Sequence, residues 1–191
     1  MTGRVNQKLR TRAAIVQAAG ELSRTGREVT MPEVAKAALV SEATAYRYFP
    51  DLASLLSEAI VGQLPTPEEA LVSAADSTDP VERVAVATEF LMRHILARQG
   101  VVRAMIAATI VRPDTANPRP GLRFGFIDHA LAPVADGPLS PAALAQLKRD
   151  LAVVVSAEAL FSLTDLHGLD SEAAVASIVR TATTLTRVAV S

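Results

Sequence analysis

Apolar residues in the first sixty positions recur at intervals of three and four, the spacing of helices that bury one face. Leu9, Ala13, Ile15, Val16, Ala19 and Leu22 form one such stripe and predict a helix over about 7–24, with Gly26 suited to the left-handed position past its end. In "TMPEVAKAAL", Thr30 as N-cap and Glu33 three residues later make a capping box, and Pro32 stands in the first turn, where a missing N–H costs little. That helix ends near Ala38. Ser41 caps a third helix over about 42–48, Pro50 stops it, and Asp51 opens a fourth, 52–62, running through Leu55, Leu56, Ala59 and Ile60.

"LPTPEE", from Leu64, is the first strong punctuation, and cap-then-proline starts recur after it at Thr66-Pro67, Asp79-Pro80 and Ser140-Pro141. Helices are predicted over 67–75, 80–98, 101–111, 122–134, 141–167 and 171–189. The segments "RPDTANPRPG" (112–121) and "APVADGPLSP" (132–141) are expected loops. No stretch alternates with period two for long enough to be a strand. The expected fold is all-α: a small domain over 1–50, a connecting helix over 52–62 and a larger domain over 65–191.

Composition narrows the chemistry. The 191-residue chain has no cysteine, which removes disulfides, thiolate catalysis and cysteine-ligated zinc. His94, His129 and His167 stand far apart, with no spacing suited to a metal. No signal-type segment opens the chain and no apolar run approaches the roughly 20 residues that cross a bilayer. The expectation is a soluble, cytoplasmic protein with no membrane association. Net charge is −1, but residues 1–64 carry eight Lys/Arg against six Asp/Glu, and residues 65–191 eleven against fourteen. Arg4, Lys8, Arg10 and Arg12 all precede the first acidic residue, Glu21. A basic end on a near-neutral protein is the footprint of a molecule that brings one end to phosphate.

The aromatic residues are concentrated at that same end. The chain has two tyrosines, five phenylalanines and no tryptophan, yet Tyr46, Tyr48 and Phe49 fall within four residues, around Arg47. Two short capped helices joined by about three residues fit a helix-turn-helix, whose second helix enters the major groove by its N-terminal end. Glu42, Ala43 and Thr44 occupy that end: Ala43 permits close approach, Thr44 can meet a base edge or a phosphate, and Glu42 can accept from a cytosine amino group. Phe49 and Ala45 are expected to lock the helix inward, while Tyr46 and Tyr48 turn hydroxyls towards phosphate beside Arg47. The structural alternative is that the three aromatics only close a small core beneath a tight turn.

The stretch "VTMPEVAKAALVSEATAYRYFPDLASLL" resembles the DNA-binding signature of the TetR family of bacterial transcriptional regulators. Thr30, Ala35, Ala38, Val40, Ser41, Thr44, Tyr46, Tyr48, Phe49 and Leu55 stand in the matching places. The resemblance implies operator contacts at Thr30, Thr44, Tyr46 and Tyr48, with Glu42 and Ala43 at variable base-reading positions. Two residues depart from it. Leu39 replaces the usual turn glycine, so the turn must avoid positive φ or accept strain of about 1 kcal/mol or more. Leu52 replaces a lysine that often meets phosphate, leaving Arg10, Arg12 or Arg47 to supply that charge.

The resemblance also implies a homodimer whose last two helices form the interface. "LAVVVSAEALFSLTDLHG" is apolar around most of its circumference, and Ile178, Ala182, Leu185 and Ala189 make a seam, so Val154, Phe161 and those four residues are the expected interface. The alternative is that both helices are simply buried within one subunit. The intervening helices are expected to enclose a small, largely apolar effector of unknown identity. Its candidate contacts are Phe90, His94, Met105, Thr109, Phe124, His129, Glu158 and Phe161, residues that at helical spacing equally suit an ordinary core.

The reading is a one-component regulator, most simply a repressor released from a near-palindromic duplex. One alternative is a dimeric ligand-binding module of the same fold that has lost operator binding. The other is a small helical enzyme using a histidine as acid–base, although no nucleophile with an adjacent base, phosphate loop or cofactor motif is present. No catalytic residue, metal or cofactor is expected.

Overall fold

A computed structural model describes residues 2–60, 63–111, 121–135, 137 and 139–191, with side chains from Val5 onward. The described residues are helical and fall into two compact units. One is drawn from Met1–Leu64 and Ala97–Pro120, the other from Pro65–Leu96 and Gly121–Ser191. Arg4's side chain, Val61 and Gly62 of the connecting helix, and the loop over 112–120 lie outside the described residues.

The first unit holds α1 (Thr2–Ser23), α2 (Met31–Ala37), α3 (Glu42–Tyr48), α4 (Leu52–Ile60) and α7 (Gln99–Val111). Its core gathers Ile15, Ala18 and Ala19 of α1, Val34 and Ala35 of α2, Ala45 of α3 and Phe49 beyond it. Leu55, Leu56, Ala59 and Ile60 of α4 join them, together with Val101 and Met105 of α7. The stripe expected on the first helix is buried only from Ile15 onward. Leu9 and Ala13 are exposed, because α1 starts five residues earlier than expected and its opening turns reach beyond the core. The segment 101–111, expected in the second domain, gives Val101 and Met105 to this core instead. Periodicity identifies a buried face but not which neighbour covers it. Gly100, in the first turn of α7, makes this packing possible: a Cβ there would stand 2.1 Å from the carbonyl oxygen of Arg27.

Two local motifs position α3. Thr30 and Glu33 form the expected capping box on α2, each accepting from the other's backbone N–H. At the other end of α2 the amide of Val40 donates to the carbonyl of Ala35 at 2.9 Å, and that of Leu39 to Lys36 at 3.2 Å. This pair of bonds is a Schellman motif, and it puts Leu39 in the left-handed position at φ 56°. Of the two options open to the turn, it accepts the strain. Gly26 takes φ 70° just past α1, as its place in the sequence suggests.

The second unit comprises α5 (Pro67–Ala70), α6 (Pro80–Ala97), α8 (Leu122–Ala130), α9 (Pro141–Val154), α10 (Ala157–Phe161) and α11 (Ser171–Val190). The helix expected over 67–75 is α5 followed by a 3₁₀ turn at Val72–Ala74, and that over 122–134 is α8 followed by another at Ala132–Val134. The helix expected over 141–167 is broken. Ser156 adopts φ −142° and ψ 154°, and its hydroxyl accepts from the amide of Ala159, so it caps a new helix where one continuous helix was expected. The β-branched run Val153–Val155 before it lowers the cost of that break. A π-helical turn, Ser162–Leu166, ends the segment.

Arg83 of α6 organises this unit. It is buried, and its guanidinium donates to the carbonyls of Ala130 (3.1 Å), His129 (2.8 Å), Ala74 (3.0 Å) and Ser77 (3.3 Å). Two of those carbonyls close α8, where the helix dipole favours a cation. A rigid fork with five N–H donors satisfies four acceptors at once.

Two stability outcomes follow from this architecture. Arg83→Met should lower the unfolding free energy by about 3 kcal/mol, because four carbonyls, two in buried and two in part-buried hydrogen bonds, lose their donor. Arg83→Lys should recover little of that, since a point ammonium cannot reproduce the fork. Leu39→Gly should raise stability by several tenths to about 1 kcal/mol, because it relieves the left-handed strain while a side chain that is 92 % exposed gives up no packing. Urea unfolding of the three variants beside the parent checks both.

Candidate nucleic-acid interface

The third helix has two distinct faces. Ala45 is fully buried and Phe49, its C-cap, is 3 % exposed, with the Phe49 amide bonded to the carbonyl of Ala45. Tyr48 is half-buried against the same core. Glu42, Ala43, Tyr46 and Arg47 are exposed, and their spacing of one, three and one puts them on a single outward face. Ser41 caps the helix by accepting from the amide of Thr44 at 3.2 Å, and its hydroxyl lies 2.9 Å from that of Thr44. The aromatic cluster therefore divides its work. Phe49 and Tyr48 hold the helix, and Tyr46 faces solvent. Arg47 reaches back so that its guanidinium carbon lies 5.8 Å from the centre of the Tyr48 ring.

Several sequence assignments change in detail. The Thr30 hydroxyl donates to the Glu33 carboxylate at 2.8 Å and accepts from the Glu33 amide, so its single proton is already spent inside the cap. The hydroxyl donation first, and then donation from the Thr30 backbone N–H to the same carboxylate, hold the Glu33 carboxyl below its ordinary value. A phosphate oxygen needs a donor, and Thr30 has one to give only by releasing Glu33. Arg12 is likewise engaged. Its guanidinium pairs in a fork with both carboxylate oxygens of Glu58 on α4 and lies 4.9 Å from the centre of the Phe49 ring. Leu52, in the place where a lysine was looked for, is half-buried and packs against the core. Arg10 is exposed on α1. Within 30–51 the charged residues are Lys36 and Arg47 against Glu33, Glu42 and Asp51, so the helix-turn-helix itself carries no excess of positive charge.

The effector candidates are divided between the two units. Met105 is spent in the first unit's core, and the Thr109 hydroxyl bonds back to the carbonyls of Met105 and Ile106 in its own helix. In the second unit Phe90 packs edge-on to the buried Phe126 with centroids 6.1 Å apart, Phe161 is buried, and His94 is half-buried. Phe124 is half exposed beneath the guanidinium of Arg123, and Glu158 is exposed. His129 is half-buried with Nδ1 4.0 Å from Glu68, whose carboxyl is held below its ordinary value, first by a backbone hydrogen bond and then by the Thr66 side chain. Among the described residues no three His, Asp or Glu side chains gather as metal ligands would.

The residues of the expected interface seam differ in exposure. Ile178 and Ala182 are buried within the chain, where α11 packs on α9 and α10. Side chains with almost no exposed surface in the single chain have little to offer a second copy, so these two serve the fold. Val154, Leu185 and Ala189 are half-buried, and Val153 and Val188 beside them are each 73 % exposed. Arg83, which sequence reasoning missed, carried one readable signal. It occupies a position on the apolar stripe of α6 (Val84, Ala87, Leu91, Ile95) where a hydrophobic residue would be expected.

Comparison with known proteins bears on the first unit most directly. Residues 14–59 match the sequence pattern of bacterial regulatory proteins of the tetR family, a span that contains both helices of the helix-turn-helix and most of α4. No curated protein matches the chain. The crystal structure of a TetR transcriptional regulator from Rhodococcus sp. RHA1 is similar, with 25 % identity and a TM-score of 0.51 over 94 % of this chain and 97 % of that one. No single helix among the described residues is long and apolar enough to cross a membrane. With an all-α fold and a capped helix-turn-helix inside the matching span, the chain carries the DNA-binding pattern of the tetR family over residues 14–59 and is similar in fold to a TetR regulator along most of its length.

Proposed function

We propose that this regulator is a homodimeric repressor that binds a near-palindromic duplex and leaves it when a small apolar effector binds. The observation that carries the reading is the outward face of α3, where Glu42, Ala43, Tyr46 and Arg47 stand clear of a helix anchored by Ala45 and Phe49. Glu42 and Ala43 sit at the N-terminal end, where side chains read base edges, and Tyr46, Arg47 and Arg10 are suited to phosphate. Thr44 and Tyr48 contribute from half-buried positions, with hydroxyls that set register. Two copies would hold their recognition helices about 34–36 Å apart.

Dimerisation through the last helices is supported by Val154, Leu185 and Ala189 of the seam first expected, joined by Val153 and Val188. Val153 and Val154 of α9 with Leu185, Val188 and Ala189 of α11 retain accessible apolar surface. A second reading, a module of this fold without operator binding, is favoured by the charge balance of 30–51 and by the absence of a cation at Leu52.

The two readings separate in one experiment. Fluorescence anisotropy of the purified protein on duplex from upstream of its own gene, with scrambled duplex as control, should show tight binding to the first only and weakening as salt rises. Equal weak binding to both, with no sequence enriched from a random duplex pool, would favour the module. Arg47→Gln should reduce affinity evenly across sequences and lower the salt slope by about 0.9 for each phosphate it no longer neutralises. Ala43→Gln should instead shift base preference, by about 1–3 kcal/mol at the affected position. Val153→Asp with Val188→Asp should convert a sedimenting dimer to monomer. An effector that acts as proposed should weaken binding through a coupling of about 1–3 kcal/mol.

A further inference from the structure

Arg12 joins three helices of the first unit. It projects from α1, both edges of its fork meet the Glu58 carboxylate on α4, and a face of the guanidinium lies over the ring of Phe49 at 4.9 Å. Phe49 is the residue that ends α3, and its ring is buried in the core shared by α1, α2, α4 and α7. The cation thus spends the fork geometry that recognises phosphate on an internal carboxylate, and its flat face on the anchor of the recognition helix. The pair's side chains are 45 % and 37 % exposed, so its contribution to overall stability is small. Its geometric effect is larger, because α3 has only seven residues and one end of it is fixed through Phe49.

We propose that Arg12 is a positioning residue for operator reading, which sets the angle of α3 against α4 through Glu58 and Phe49 and does not itself contact DNA. The inference rests on the repressor reading. It differs from the role that a basic α1 would ordinarily be given, in which Arg12 neutralises phosphate. The two roles make opposite demands on Glu58. For a positioning residue Glu58 is a necessary partner, whereas for a phosphate ligand it is a competitor.

Arg12→Gln, Glu58→Gln and the double variant test this on a duplex enriched from random sequence by the parent protein, with a scrambled duplex as control. Both single variants should weaken the enriched duplex on the order of five-fold, and the double variant should be no worse than either. Binding to scrambled duplex at low salt and the salt slope should stay as in the parent, which removal of a phosphate ligand would not allow. Amide exchange across Ala45–Phe49, measured without DNA, should quicken in both single variants. Tighter binding by Glu58→Gln together with a salt slope lowered by about 0.9 per site in Arg12→Gln would overturn the proposal. Unchanged amide exchange in both single variants would overturn it as well. If no duplex is enriched, it is the repressor reading that fails, and the exchange measurement still decides the role of Arg12.

Discussion

A seven-residue helix has no independent stability in water, because the cost of nucleating it exceeds what two turns of hydrogen bonds return. The recognition helix of this protein is therefore only as well placed as its anchors, and the first unit is organised around supplying them. Ala45 and Phe49 fix its inner side, Ser41 satisfies the Thr44 amide of its first turn, and the Schellman turn at Leu39 sets where it starts. The strain at Leu39 is tolerated because both turn hydrogen bonds are made and the side chain has nothing to collide with in solvent.

What was legible in the sequence was local. The capping box at Thr30–Glu33 and the caps at Ser41, Thr66 and Ser140 depend on a few consecutive residues, and all are present. The outward face of α3 could also be read, because its two jobs require different residue types at different points of a two-turn helix. What was not legible depended on which surfaces meet. Ile178 and Ala182 make a seam whether the partner is α9 of the same chain or a helix of another, and periodicity gives both the same signature. Ser156 was passed over because a serine inside a strongly apolar stretch reads as tolerated, yet its hydroxyl offers the backbone an alternative to continuing the helix.

The charged residues follow a similar division between composition and placement. A count of basic residues near the N-terminus treats Arg10 and Arg12 alike, although one is exposed and the other pairs with Glu58. Arg83 is the sharper case. It carries a full charge in the interior, and is stabilised by carbonyl dipoles that close a helix and two turns. The charge there organises backbone, and only its place on the apolar stripe of α6 hints at that role.

The allegiance of α7 bears on how the molecule is made. Val101 and Met105 complete a core whose other members lie before residue 61, so the unit that carries the recognition helix is discontinuous along the chain. A ribosome releases the helix-turn-helix well before the residues that finish its core, and until α7 has emerged Leu55, Leu56 and Ile60 lack part of their cover. The matched segment 14–59 is accordingly not a detachable cassette. Moved to another protein without α7, it would carry an open hydrophobic surface with it. A chain cut at residue 64 should be judged on that surface before its affinity for any duplex is compared with that of the whole protein.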